Sequence, residues 1–280
     1  MTTDFQTGRK ALGARLRELR AEAGLSGKVL AAQLDWPPSK VSKLENGKQT
    51  PALTDLEAWT AAAGRPEALP ELKARLSGLE TTYRSWRRQL VAGHRPRQEQ
   101  AIAETAVTTV TRALEPFCIP GLLQTPEYAR ATLAAAADFR QTPRDIEDAV
   151  RARMRRQEAL YDPEKRFVFL IHEAALHART CSRPAHAAQL DRLMSVIGLD
   201  TIEVGIVPLS ARLRAAPNHG FWLYDRRLVI VETIGTEMWL ADTASIETYE
   251  RAWDWLWESA VQGAEARRLI GRVRASLGPV

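Results

Sequence analysis

The chain has 280 residues, of which 45% are hydrophobic and 26% are charged, an ordinary balance for a globular protein of one large domain or two. No apolar run approaches the ~18 residues that span a bilayer, and the N-terminus lacks the apolar core of a secretory signal. We therefore expect a cytoplasmic protein without a membrane partner, whose thiols, Cys118 and Cys181, are reduced and partly buried.

The net charge of +5 is unevenly distributed. Residues 1–97 contain 17 Lys and Arg against 10 Asp and Glu, which gives +7. Residues 98–280 contain 22 against 24, which gives −2. Basic charge concentrated in one part of a chain indicates a polyanionic partner for that part, so the nearly neutral remainder requires another role.

Apolar spacing and capping residues predict the first two helices. Residues 9–23 repeat leucines at intervals of four and three, the period of an amphipathic helix, and Gly24 ends this helix. Ser26 is a favourable N-cap for a second helix. The apolar face of that helix is predicted to contain Val29, Leu30 and Leu34.

Proline marks the start of the third helix. The segment Trp36-Pro37-Pro38 is predicted to end the second helix. Pro38 suits the first turn of the third helix, and Gly47 ends that helix. Thr54 is the predicted cap of a fourth helix, and a fifth is predicted near 67–77. Residues 8–77 are therefore predicted to form a five-helix domain.

The third predicted helix carries small polar and basic side chains opposite Val41 and Leu44. These side chains are Ser39, Lys40, Ser42 and Lys43. Lysine donates to guanine O6 and N7, serine bonds to most base edges, and the major groove of DNA admits a helix. Domain 8–77 is therefore predicted to be a helix-turn-helix domain that binds double-stranded DNA.

Flanking residues are predicted to hold DNA phosphates. The start of the second helix, at Ser26, Gly27 and Lys28, offers free N–H groups that favour an anion. Lys48 and Gln49 follow Gly47 in a loop whose contacts would fix the register without reading sequence. The alternative is an ordinary helical bundle with a solvated basic face.

Residues 78–97 are predicted to form a linker helix. Its basic side chains are interpreted as a solvated face, with auxiliary phosphate contact as the alternative. They are Arg84, Arg87, Arg88, Arg95 and Arg97.

Residues 98–280 are predicted to form an α+β regulatory domain, so the fold class is mainly α plus α+β. A four- to six-stranded sheet is expected, with strands at 108–114, 166–171, 201–207, 220–224 and 228–232. Helices are predicted near 98–106, 126–137, 143–160, 184–197, 244–260 and 263–276.

Aromatic side chains are the candidate ligand or partner residues of the second domain: Tyr128, Trp222, Trp253, Trp255 and Trp257. On a helix, Trp253 and Trp257 share a face, which favours core packing. An aromatic wall of a ligand pocket or a partner groove is the alternative.

A run of arginines, Arg151, Arg153, Arg155 and Arg156, is interpreted as an exposed helix face. Contact with an anion or an acidic protein is the alternative for this run.

The sequence contains no recognisable catalytic, metal or cofactor constellation. The segment His172–His177 is similar to a zinc protease motif, but its histidines are five residues apart rather than four. They would lie roughly 140° apart around a helix. We therefore expect no enzymatic activity, and an enzyme fused to a DNA-binding domain is the rival hypothesis.

Residues 12–63 resemble the helix-turn-helix domain of the xenobiotic-response-element (XRE) regulators, which are related to the phage repressors. The pattern Ser-x-Leu-Glu-x-Gly, from Ser42 to Gly47, is the most specific part of the match. The chain departs from the family at Gly27-Lys28, where glutamine is frequent, and at Pro37, where a polar cap is usual. The resemblance implies a lambda-repressor-like fold. Paired half-sites further predict DNA binding as a homodimer.

Residues Ile119 to Arg130, IPGLLQTPEYAR, resemble the signature of the C-terminal domain in WhiJ-like actinobacterial regulators. Arg156-Gln157 with Leu160, and the stretch Glu173 to Leu176, fit the same pattern. The resemblance implies an antitoxin-type transcriptional regulator with a small partner protein encoded nearby, and with an unidentified small-molecule signal. An antitoxin-like protein that neutralises its partner is the alternative function.

Overall fold

The computed structural model describes residues 4–278, except for the side chains of residues 4–6, 77, 79–84, 87 and 88. Contacts along the backbone divide the chain into two compact units, Met1–Tyr83 and Arg84–Val280. Within the described range, none of the helices has the length and apolar character to cross a membrane.

The first unit is helical, as the sequence predicts. Its helices are α1 (Asp4–Glu22), α2 (Gly27–Gln33), α3 (Pro38–Glu45), α4 (Leu53–Ala62) and α5 (Leu69–Thr82). Leucines from all five helices surround the buried ring of Trp59 in one core. The Trp59 Nε1 donates to the Leu16 carbonyl at 3.1 Å, so the largest core side chain has its polar atom satisfied.

Two sequence predictions about these helices are wrong. Val29 is 47% exposed, because Leu30 and Ala31 form the inner face of α2 and place Val29 outside it. Thr54 is not the cap of α4, which begins one residue earlier. The Asp55 carboxylate instead accepts the N–H of Ala52, the N-cap residue, at 2.9 Å.

Two glycines allow α1 to approach α3 closely. A Cβ on Gly13 would lie 2.5 Å from the Leu44 carbonyl oxygen. Gly47, which follows α3, has a φ of +62°, and a Cβ there would lie 2.9 Å from the Lys10 Cα. Both positions therefore require glycine, the first for space and the second for space and backbone conformation.

The second unit contains an eight-stranded mixed sheet in the order β1-β7-β6-β5-β2-β3-β4-β8. The strands are β1 (Tyr83–Ser85), β2 (Val110–Glu115), β3 (Arg166–His172), β4 (Ile202–Val207), β5 (Phe221–Tyr224), β6 (Leu228–Glu232), β7 (Thr236–Leu240) and β8 (Val261–Gln262). Strands β2, β3 and β4 are parallel, and β5, β6 and β7 continue the sheet in antiparallel pairs.

Helices cover both faces of this sheet. They are α6 (Trp86–Gln89), α7 (Arg95–Ala106), α8 (Pro126–Arg140), α9 (Ile146–Arg156), α10 (Glu173–His177), α11 (Arg183–Val196), α12 (Thr243–Trp257) and α13 (Gly263–Ser276). Helices α11 and α13 pack on one face, and α12 packs on the other. Strand β3 is buried on both sides, which explains its continuous apolar sequence.

The sheet has more strands than the four to six predicted. The additional strands, β1, β7 and β8, have two to five residues each. In β7 the buried positions are Glu237 and Trp239. Because the first of them carries a carboxylate, the sequence lacks the apolar alternation that predicts a half-buried strand.

The single linker helix predicted over 78–97 is also wrong. The segment contains the end of α5, strand β1, the short helix α6 and the first residues of α7. The side chain of Arg97 is only 10% exposed and bonds to Glu237, whereas Arg95 is exposed. The predictions for the side chains of Arg84, Arg87 and Arg88 lie outside the described residues.

Candidate DNA-binding surface and ligand cavity

Helices α2 and α3 form the helix-turn-helix. The Ser26 Oγ accepts the Val29 N–H at 3.2 Å and caps α2, and Pro38 occupies the first turn of α3. Val41 and Leu44 are buried, which turns the opposite side of α3 outward. That outer surface carries Ser39, Ser42 and Lys43, all exposed.

Lys40 occupies a different position from the one predicted. Its Nζ lies 2.6 Å from the Asp55 Oδ1 and 3.7 Å from the centre of the Trp36 ring. The side chain is 28% exposed. Lys40 precedes Leu44 by four residues and so lies on the flank of α3 that faces α4, where it stabilises the domain rather than extending outward.

A charged clamp holds α3 against α1. The Arg20 guanidinium donates to both carboxylate oxygens of buried Glu45, at 2.5 and 3.1 Å, and to the Leu25 carbonyl at 2.7 Å. The hydrogen bond to Glu45 raises the pKa of Arg20. A two-pronged bond of this kind fixes orientation as well as distance, so α3 is held rigidly from behind.

The remaining predicted DNA-binding residues also lie at the surface of the first unit. Lys28, Lys48 and Gln49 are exposed, Ser26 is exposed although its oxygen caps α2, and Gly27 is half-buried. Of the nine residues predicted from sequence, Lys40 alone has its charged group in an ion pair among the described side chains.

The structure separates the predicted aromatic cluster into three places. Trp253 is buried in the core beneath α12, and the ring of Trp257 stacks on it at 5.6 Å. A Cβ on Gly205 of β4 would lie 2.8 Å from the Trp257 ring, so these two tryptophans serve packing. Trp255 is half-buried beside the Arg214 guanidinium, 4.5 Å from its ring centre.

Tyr128 and Trp222 also differ in their positions. Tyr128 is fully buried in the core. Trp222 lines a cavity of about 210 Å³ that lies between the sheet and the helices α7, α8 and α9. Of the five aromatic candidates, Trp222 is therefore the one that this cavity could bring into contact with a ligand.

A carboxyl group lies in the wall of this cavity. The Glu115 carboxylate accepts the Trp222 Nε1–H at 2.9 Å and the Cys118 thiol at 3.3 Å. Burial, together with nearby Glu232, raises the pKa of Glu115 to about 7. Burial also raises the pKa of the Cys118 thiol, which keeps it protonated and a poor nucleophile.

The arginine run at the end of α9 is not one exposed face. Arg151 and Arg155 are exposed, but Arg156 is only 8% exposed and lines the cavity with Arg153. The sequence pattern could have indicated this position. Ile146, Ala149 and Val150 form an inner stripe of α9 that continues at helical spacing to residues 153 and 156.

Two family models match the chain. A model described as a helix-turn-helix domain matches residues 11–72, which contain α2 and α3. A model described as a domain of unknown function (DUF5753) matches residues 98–272, which contain the cavity-lining residues of β2, α9 and β5.

No curated protein matches the chain. Among solved structures, the chain is similar to TrmBL2, described as an archaeal chromatin protein with a novel mode of DNA binding. The identity is 12% and the TM-score 0.30, over 75% of this chain and 69% of that chain. A similarity this low supports no conclusion about the fold or the function of this protein.

Proposed function

The chain belongs to the DUF5753 family, and from that premise we propose that it is a sequence-specific DNA-binding transcriptional regulator whose second unit receives a signal. The helix-turn-helix domain at residues 11–72 supports the DNA-binding part. The cavity in the second unit supports the signal-receiving part.

The outer face of α3 is the observation that carries the proposal. Ser39, Ser42 and Lys43 are exposed there, while the Arg20–Glu45 clamp fixes the helix from behind. Rigid placement matters, because hydrogen bonds to base edges discriminate only when the donors are held in position. Lys28, Lys48 and Gln49 would add contacts to phosphates, which position the protein without reading sequence.

Selection of DNA fragments from a random pool by the full chain, followed by fluorescence anisotropy, tests this proposal. Lys43→Ala should weaken binding to the selected site by roughly tenfold, since a base contact contributes about 1–3 kcal/mol. The matched control is Lys73→Ala, which removes a half-buried lysine of α5 that pairs with Glu57. Equal affinities for the two variants would exclude α3 as the reading helix.

We also propose that the regulator binds DNA as a homodimer. One small helix-turn-helix domain makes few contacts, and a twofold pair doubles them at half-sites one helical turn apart. Sedimentation of the full chain with the selected duplex should give two protein chains per duplex. A stoichiometry of one chain at saturation would refute the homodimer.

The signal is proposed to be a small molecule rather than a partner protein. A cavity suits a small ligand, and Trp255, whose exposure would have favoured a partner surface, is half-buried beside Arg214. The small partner protein encoded nearby stays a prediction. Co-purification of the native protein followed by mass spectrometry distinguishes the two, since a bound protein would appear in place of a small ligand.

A further inference from the structure

The cavity of the second unit is large enough for a small organic molecule. Its volume is about 210 Å³, whereas a cavity of roughly 150 Å³ already accepts benzene. Its walls come from elements far apart in sequence, including Gln98 of α7, Arg140 of α8, Arg153 of α9 and Trp222 of β5. It lies entirely within residues 84–280, so it is a property of the second unit alone.

Arg153 and Arg156 enter this cavity as cations that protein carboxylates do not neutralise by direct contact. Arg153 donates to the amide oxygens of Gln98 and Gln124, at 3.1 and 2.6 Å. Arg156 donates to the Thr105 hydroxyl at 2.8 Å and the Tyr224 hydroxyl at 3.2 Å. Among the described side chains, no carboxylate lies within ion-pairing distance of either guanidinium.

A third arginine adds to this excess of positive charge. Arg140 lines the same cavity with its guanidinium 4.8 Å from the centre of the Trp86 ring. Its buried Nε has no hydrogen-bond partner within the described part of the chain. An unpartnered buried donor is costly, and a ligand that accepts its proton would remove that cost.

The other charges around the cavity do not cancel the three arginines. Arg97 is matched by Glu237, to which it bonds directly. Glu232 lies 3.8 Å from the same Arg97 guanidinium. The carboxyl of Glu115, whose pKa burial raises to about 7, is only partly ionised at neutral pH, so the carboxylates do not match the arginines in charge. Burial lowers the pKa of Arg153 to about 10, which still leaves this group charged at neutral pH.

We infer that this cavity binds a small organic anion whose carboxylate or phosphate oxygens bond to Arg153 and Arg156, with its apolar body against Trp222, Leu133 and Ile230. Guanidinium groups suit these oxygens because they offer paired N–H donors in a plane. The apolar side chains at the wall would then cover the rest of the ligand. The inference specifies the ligand class of the proposed signal and rests on the proposed function only for its regulatory meaning.

Calorimetric titration of the full chain with matched small probes tests the inference. Benzoate, phenyl phosphate and inorganic phosphate present the two oxygen chemistries, and benzyl alcohol and benzylamine present the same ring without an anion. Benzoate or phenyl phosphate should bind saturably and at least tenfold more tightly than benzyl alcohol or benzylamine. The tighter of these two anions identifies the oxygen chemistry, and inorganic phosphate should bind more weakly than phenyl phosphate because it lacks the ring. Equal binding of the anionic and the non-anionic rings, or binding of neither, would overturn the inference.

Substitutions on one helix provide a matched comparison. Arg153→Gln and Arg156→Gln should each weaken binding of the tighter anion by at least tenfold, whereas Arg155→Gln, an exposed neighbour, should change it less than twofold. Because Arg156 also bonds to Thr105 and Tyr224, its variant is compared only if its circular dichroism is unchanged. Arg140→Gln, which breaks none of those bonds, should also weaken binding. Unchanged affinity in Arg153→Gln and Arg140→Gln would overturn the inference.

The two proposals can fail separately. Affinity for the selected DNA is measured without any probe, and Arg153→Gln should leave it within twofold of wild type, since Arg153 lies outside the first unit. Loss of specific DNA binding with intact anion binding would refute only the regulatory function. Intact DNA binding without anion binding would refute only the ligand site.

Discussion

The two units place their positive charges in opposite environments. In the first unit Lys28, Lys43 and Lys48 are exposed, and in the second Arg153 and Arg156 line a cavity. Exposed cations act through many weak, salt-sensitive contacts, which suits a long polyanion such as DNA. Enclosed cations without a carboxylate partner favour a small anion of matching shape. Basic residues of one chain can therefore predict two different kinds of partner.

The first unit also contains a buried charge pair, and Glu45→Ala should give the largest effect. Removing this carboxylate leaves Arg20 without its bidentate partner and should destabilise the first unit by about 3 kcal/mol. Thermal unfolding followed by circular dichroism measures the loss. Glu57→Ala, which removes an exposed carboxylate, is the control and should change stability by less than about 0.5 kcal/mol. If both variants unfold alike, the clamp does not stabilise α3.

The enclosed charges of the second unit predict a pH dependence. Above pH 7 ionised Glu115 repels a bound anion, so affinity for benzoate should rise roughly tenfold as the pH falls from about 8 to about 6. The pKa of Glu232 is also raised, by burial and by Glu237, and loss of its charge acts in the same direction. The other ionisable groups around the cavity are Arg97, Arg140, Arg153, Arg156, His94, Cys118, Tyr224 and Glu237.

These other ionisable groups should not reverse the rise in benzoate affinity at lower pH. Burial lowers the pKa of His94 and raises those of Cys118 and Tyr224, so all three stay uncharged over most of this range. Titration of benzoate at several pH values gives the measurement. Glu115→Gln keeps the acceptor for Trp222 and should flatten most of the dependence. An affinity that rises with pH would show that Glu115 does not face the ligand.

Lys40→Ala should give the smallest effect. It compares a lysine that is paired within the first unit with Lys43, which is exposed. The lysine pairs with Asp55 and covers Trp36, so its loss should lower stability by roughly 0.5–1 kcal/mol. Affinity for the selected DNA should fall less than in Lys43→Ala. Anisotropy and thermal unfolding of both variants provide the comparison. A larger loss of DNA affinity in Lys40→Ala would mean that the ion pair with Asp55 opens on DNA.

Local signals predicted the helix-turn-helix well. Ser26 and Pro38 mark the starts of α2 and α3, and each of these residues acts within its own helical turn. Lys40 was misplaced, because its partner Asp55 comes from another helix. Spacing around α3 places Lys40 near Leu44, which was a usable but overlooked signal.

The cavity could not be predicted from sequence. Arg153, Glu115 and Trp222 come from α9, β2 and β5, and only the assembled sheet and helices bring them together. Strand β7 was not predicted because it contains the buried carboxylate of Glu237. The partner of this carboxylate, Arg97, lies 140 residues earlier in the chain. Charged groups that are satisfied by distant partners leave no periodic pattern in the local sequence.

The most direct test of whether the outer face of α3 reads bases is a ratio of two affinities. These are the affinities for the selected site and for unrelated duplex DNA, both measured at the same salt concentration. Ser42→Ala and Lys43→Ala should reduce this ratio, since base contacts serve only the selected site. Lys48→Ala should weaken both affinities alike and leave the ratio unchanged, as expected for a phosphate contact. If Lys43→Ala also left the ratio unchanged, α3 would not be the element that recognises sequence.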